Sequence, residues 1–156
     1  MSSPDRTALL ESFPAVHSDA WTALLDTVVT RGLTDVASFY CLNNALCAEA
    51  ENGDVVVAAA ALSRLAREAA RCHGAESLVA VRIRANAGAF TGIAGDPEAA
   101  RLVHEDIWQV WQDRQVPEFE RNDLTRLSAN LAHWRLVCGE SGLADDQPSG
   151  EQDDLG

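Results

Sequence analysis

The sequence contains no lysine, because all twelve of its basic residues are arginines. This absence bears on the Gly-Asp-Pro stretch at residues 95–97, which fits either a phosphate-binding loop or a corner between two helices. A P-loop needs a lysine after its glycines to reach the phosphates, so that class is excluded. A helix corner needs a residue that tolerates positive φ, then an N-cap, then a favourable first-turn residue. Gly95, Asp96 and Pro97 supply these in order and predict a helix corner.

Long apolar runs and paired cysteine motifs are also missing. No window approaches the ~20 consecutive apolar residues of a membrane span, and no basic segment followed by an apolar run opens the chain, so we expect a cytoplasmic protein. No cysteine belongs to a C-x-x-C pair, so we expect four free thiols and neither a metal site nor a disulfide framework. The net charge of −12 argues against a nucleic-acid or membrane partner. The cysteines are Cys41, Cys47, Cys72 and Cys138.

What the sequence does contain is helical periodicity between two weakly patterned ends. Residues 1–17 fit a loose N-terminal lead-in, and residues 140–156, with six acids and no arginine, fit an acidic disordered tail. Apolar residues in the region between recur at three and four positions, which is typical of amphipathic helices. The sequence therefore predicts an all-α fold of about six helices, at about 19–31, 34–51, 55–72, 76–94, 97–114 and 119–138.

The chain also resembles itself at a fixed interval. Three asparagines, 42 and then 44 residues apart, are each followed by a glycine nine residues later and an alanine fourteen residues later. A recurrence of this length indicates a repeat built from one helix pair per copy, because a helix pair buries its apolar face only by stacking on its neighbours. The asparagines are Asn44, Asn86 and Asn130, and the glycines, which we expect at helix corners, are Gly53, Gly95 and Gly139.

These marks resemble the tetratricopeptide repeat (TPR), in the long-helix form found in kinesin light chain and in many actinobacterial proteins. The resemblance rests on the steps Asn44-Ala45-Leu46, Asn86-Ala87-Gly88 and Asn130-Leu131-Ala132, each with its following glycine. It implies that residues 18–139 form a short right-handed superhelical stack of antiparallel helix pairs. The first helix of each pair would line a concave face, and the second helix would lie on the convex face.

The resemblance also implies a binding site, because asparagines at this place in TPR proteins commonly bond the backbone of a bound peptide. Arg82 lies four residues before Asn86, and Arg126 lies four residues before Asn130, so each arginine shares a helix face with its asparagine. Arginine suits a carboxylate or an acidic peptide through bidentate hydrogen bonds. The alternative is that the asparagines join helices and that the arginines are surface charges. The candidate peptide-binding residues are Tyr40, Asn43, Asn44, Arg82, Asn86, Arg126, Asn130 and His133.

No catalytic, metal-binding or cofactor-binding residue is predicted. His104 lacks the second histidine, four positions later, that a zincin motif needs. Cys47 and His133 would lie two repeats apart, too far for a nucleophile and its base. The sequence therefore favours a non-catalytic scaffold or adaptor that binds a protein or peptide. Two alternatives stay open: a small helical enzyme or small-molecule-binding accessory protein of a biosynthetic pathway, and self-association as a homodimer.

Overall fold

The computed structural model describes residues 23, 25, 26, 28, 30–32, 34–112 and 121–143, and only the backbone of residues 140–143. The described residues contain helices and connecting turns and no strand, which confirms the all-α prediction. Residues 23, 25, 26, 28 and 30 are helical, and the rest of the first predicted helix lies outside the described residues, as does the lead-in 1–17. The five helices with defined bounds are α1 (Val36–Asn52), α2 (Val55–His73), α3 (Leu78–Ile93), α4 (Pro97–Trp111) and α5 (Arg121–Leu143).

Local sequence signals set the helix boundaries. Gly95 adopts φ = +123°, the Asp96 side chain accepts a hydrogen bond from the backbone N–H of Ala99 at 3.0 Å, and Pro97 begins α4. The predicted corner between α3 and α4 is therefore confirmed. Asp54 caps α2 in the same way, because its carboxylate accepts from the N–H groups of the second and third helical residues.

The helices form two layers. Each helix packs against the next one along the chain, and α1 also contacts α3, which in turn contacts α5. Contacts between these alternate helices join residues 41 to 43 positions apart, so α1, α3 and α5 run parallel in one layer. The helices α2 and α4 form the other layer and do not contact each other.

The core lies between the layers. The fully buried side chains of Phe39, Leu46, Leu62, Leu65 and Ile83 join α1, α2 and α3. A second cluster, of Val81, Ile107, Trp111 and Leu127, joins α3 to α4 and α5. Burial of these side chains on one face of each helix fixes which face remains for a site, because the opposite faces of α1, α3 and α5 stay accessible.

The end of α5 differs from the prediction. The helix was expected to end near residue 138, with Gly139 at a corner, but it continues through Gly139 to Leu143. Apart from its chain neighbours and the backbone of its own helix, no described atom lies within 4 Å of where a Cβ on Gly139 would stand, so this glycine makes no close contact with another described helix. Residues 140–143, predicted to open the disordered tail, have helical backbone, and residues 144–156 lie outside the described residues. No described helix is long and apolar enough to cross a bilayer.

Candidate functional site

A polar groove of about 680 Å³ runs along the accessible face of α1, α3 and α5. Because the three helices are parallel, side chains at four-residue spacing on each helix line it together. Seven of the eight predicted residues lie here, all except His133. The lining residues are Tyr40, Asn43, Asn44, Val81, Arg82, Ala85, Asn86, Asn122, Asp123, Thr125, Arg126, Leu127 and Asn130.

Arg82 connects all three helices at one end of the groove. Its Nε donates to Asp123 Oδ1 at 3.1 Å, and a terminal nitrogen donates to the second carboxylate oxygen. The other terminal nitrogen donates to the Tyr40 hydroxyl at 3.0 Å, and the guanidinium carbon lies 5.7 Å from the centre of the Tyr40 ring. The hydrogen bonds to Asp123 raise the pKa of Arg82, which burial alone would lower. The predicted carboxylate-binding arginine is thus already bound to a carboxylate of the chain.

Three asparagines form a directed chain of hydrogen bonds beside this ion pair. Asn86 Nδ2 donates to Asn43 Oδ1 at 3.1 Å, and Asn43 Nδ2 donates to Asn44 Oδ1 at 3.3 Å. The Cys47 thiol also approaches Asn43 Oδ1, at 3.9 Å. The chain leaves the amide nitrogen of Asn44 as a donor at one end and the amide oxygen of Asn86 as an acceptor at the other.

The wall formed by α5 carries Asn122, Arg126 and Asn130 at four-residue spacing. All three side chains are exposed, and Arg126 forms no ion pair with any described residue. Arg126 is therefore a cation in the groove that is available to a ligand. Sequence reasoning missed Asn122 and Asp123. The four-residue ladder that joins Arg126 to Asn130 reaches Asn122 when extended by one step, whereas Asp123 has no such local signal.

The asparagines of the groove lie in two kinds of environment. Asn43 is 6% exposed and bonds across the helix interface to Asn86, as the alternative interpretation predicts. Asn44 and Asn130 are exposed in the groove, and their binding of a peptide stays a prediction. The buried amide of Asn43 therefore orients the exposed amide of Asn44, to which it donates.

His133 lies outside the groove. It is on the same face of α5 as Arg126, but nearly a helical turn past Asn130, the last lining residue of that helix. Its ring is exposed and packs edge-on against Trp134, with the ring centroids 4.8 Å apart. The helical spacing that nominated His133 gives the correct face but not the length of the groove.

Burial shifts the pKa values of two further side chains, Cys47 and His104. Burial, and then the charge of Glu51, raise the pKa of the Cys47 thiol to about 11, so it stays protonated near neutral pH. His104 is fully buried, its Nδ1 lies 2.8 Å from the carbonyl oxygen of Ala100, and burial lowers its pKa. Among the described residues, no group of three or more histidine, cysteine, aspartate or glutamate side chains could hold a metal ion.

Comparison with known proteins found no match to a family model, to a curated protein or to a solved structure.

Proposed function

We propose that this chain is a TPR-like repeat domain that binds a protein or peptide segment in the groove of α1, α3 and α5, as a non-catalytic scaffold or adaptor. The observation that carries the proposal is the parallel alignment of these helices with partners 41 to 43 residues apart. Between α1 and α3 the offset of 42 to 43 residues matches the 42-residue interval at which the sequence repeats, and between α3 and α5 it is 41 residues where the sequence interval is 44. The alignment collects the polar face of each copy in one groove.

The lining chemistry favours a peptide over a small apolar ligand. Pockets for small molecules are lined mostly by hydrophobic and aromatic side chains with few polar groups. Here the apolar lining side chains are Val81, Ala85 and Leu127, with Tyr40 partly so, and the remainder are amides, charged groups and one threonine. Four asparagine amides, those of Asn44, Asn86, Asn122 and Asn130, offer donors and acceptors that match the N–H and C=O groups of a peptide backbone. Arg126 offers a bidentate partner for an acidic group on that peptide.

A catalytic role has less support. An enzyme that used Cys47 as a nucleophile would need to lower the pKa of the thiol, because the thiolate is the reactive form. The observed environment raises that pKa instead.

The test is affinity capture from a lysate of the source cells, with wild type compared to the double variant Arg126→Ala/Asn130→Ala. Arg67→Ala is the matched control, because Arg67 is also exposed and forms no ion pair with a described residue, but it lies on α2 in the other layer. Circular dichroism first checks that the variants fold as wild type does. We expect a protein captured by wild type and by the control and lost with the double variant. A partner that all three capture equally contradicts binding in the groove.

A further inference from the structure

The two arginines of the groove are not equivalent. Arg82 is engaged by both oxygens of Asp123 and by the hydroxyl of Tyr40. The side chains of Arg82 and Asp123 are 31% and 17% exposed, so the pair is partly shielded from solvent. Arg126 is exposed and has no ion pair with a described residue. Among the described residues that line the groove, Arg82 is thus a neutralised cation and Arg126 an available one.

Asp123 and Arg126 lie three residues apart on α5 and so share a face of that helix. A ligand carboxylate that enters the groove meets an available guanidinium at Arg126. At Arg82 the same carboxylate meets the negative charge of Asp123 and must displace a carboxylate that is tethered to the protein. Two carboxylates of like charge at one arginine repel each other, and the tethered one has the entropic advantage.

The groups around Arg82 offer a ligand neutral hydrogen bonds instead of charge. The Tyr40 oxygen accepts from Arg82, so its own O–H remains a donor. The amide oxygen of Asn86, one helical turn after Arg82, remains an acceptor. The part of a ligand that lies over this end of the groove is therefore expected to be uncharged.

The geometry points to Asp123 as the residue that sets the charge selectivity of the groove: it keeps ligand carboxylates off Arg82 and leaves Arg126 as their one binding position. The partner is then a peptide segment with a single acidic group and neutral hydrogen-bonding groups beside it, and not an acid-rich segment. This identification of the partner class rests on the proposed peptide-binding function. The selectivity between the two arginines does not.

The experiment uses the full chain labelled with ¹⁵N and follows the Nε–Hε resonances of its arginines by NMR. Sodium acetate is the carboxylate probe, titrated against sodium chloride at equal ionic strength. Wild type is compared with Asp123→Asn, which frees Arg82. The matched control is Asp106→Asn, which makes the same change in net charge and frees Arg84 from its 2.7 Å ion pair. Arg84 lines a different surface, between α2 and α4.

In wild type we expect acetate to shift the Arg126 resonance and to leave that of Arg82 in place. In Asp123→Asn, we expect the apparent Kd for acetate at Arg82 to fall at least roughly tenfold, as befits one charge-assisted hydrogen-bonded pair. In Asp106→Asn, Arg82 should behave as in wild type. An Arg82 that responds like Arg126 in wild type, or that stays unresponsive in folded Asp123→Asn, overturns the inference. The expected acetate pattern in a chain that captures no partner supports the selectivity and contradicts the proposed function instead.

Discussion

Replacing two helical glycines, Gly92 and Gly139, by alanine should change the free energy of unfolding in opposite directions. Gly92 on α3 lies against side chains of both α4 and α5. A Cβ built there would stand 2.6 Å from Trp134 Cζ3 and 2.7 Å from Ala100 Cβ. Gly139, near the end of α5, has no described atom within 4 Å of its Cβ position apart from its chain neighbours and the backbone of its own helix. Replacing each by alanine therefore tests the packing of three helices against one reference within the same protein.

The magnitude at Gly92 follows from two opposing terms. Alanine favours a helix interior over glycine by about 1 kcal/mol. Overpacking a filled interface costs typically about 1–3 kcal/mol, and the upper part of that range applies here. The indole of Trp134 is rigid and 6% exposed, and the Cβ of Ala100 is fixed by the backbone of α4, so neither obstacle has a free direction in which to move. Gly92→Ala should lower the free energy of unfolding by about 1–2 kcal/mol. Gly139→Ala should raise it by up to about 1 kcal/mol, because only the helix propensity changes.

The assay is urea unfolding followed by far-UV circular dichroism, with both variants and wild type at the same pH and protein concentration. A Gly92→Ala variant as stable as wild type would show that α3, α4 and α5 do not meet at Gly92. Destabilisation by Gly139→Ala would show that this glycine stands at a corner, as the sequence repeat predicts, and not inside α5.

Two further predictions concern the caps and the buried histidine. Asp96→Ala should lower the free energy of unfolding by about 1 kcal/mol, because the N–H of Ala99 loses its acceptor, whereas Asp96→Asn should change it by only about a few tenths of a kcal/mol. Urea unfolding measures both variants, and an equal loss of stability in the two would contradict the capping role of Asp96. Burial lowers the pKa of His104 in the folded state below its ordinary value of 6.5. The unfolded state therefore binds a proton at this residue before the folded state does, so the free energy of unfolding is highest above about pH 6.5 and decreases as the pH falls through the pKa of the folded state. Between pH 7 and pH 5, the free energy of unfolding should decrease less steeply for His104→Gln than for wild type. Equal slopes would show that His104 does not cause the pH dependence of stability.

The helices and the first helix corner could be predicted because their signals are local. Apolar residues three and four apart mark each helix, and Gly95, Asp96 and Pro97 mark a turn within three consecutive positions. Dependence on local signals also explains why the helix corner predicted at Gly139 is wrong. The repeat interval identifies this glycine as equivalent to Gly95, but a glycine ends a helix only where the chain also turns. In α5 the helix continues past Gly139 to Leu143.

Most of the groove could be predicted for a related reason. Arg82 with Asn86, and Arg126 with Asn130, lie four residues apart within a helix, and the repeat then places such pairs side by side. The ion pair of Arg82 could not be predicted, because its partner is 41 residues away and depends on how far α5 is shifted along α3. The asparagines Asn86 and Asn130 are 44 residues apart, whereas contacts between these helices join residues at a shorter offset. The sequence repeat thus gives the neighbouring helix but not the register between the two helices.

The net charge of −12 limits how the groove can attract an acidic partner. Beyond a Debye length of about 8 Å at physiological salt, the field of the chain is weak, and what remains of it repels acidic groups. Among the described residues, most arginines are paired with a carboxylate, as Arg64, Arg84 and Arg101 are. Arg126 has no such partner among the described residues, as is also true of Arg67, but of these two only Arg126 lines the groove. Under the proposed function, selectivity for an acidic group would then arise from contact at Arg126 and the adjoining amides, and not from long-range steering.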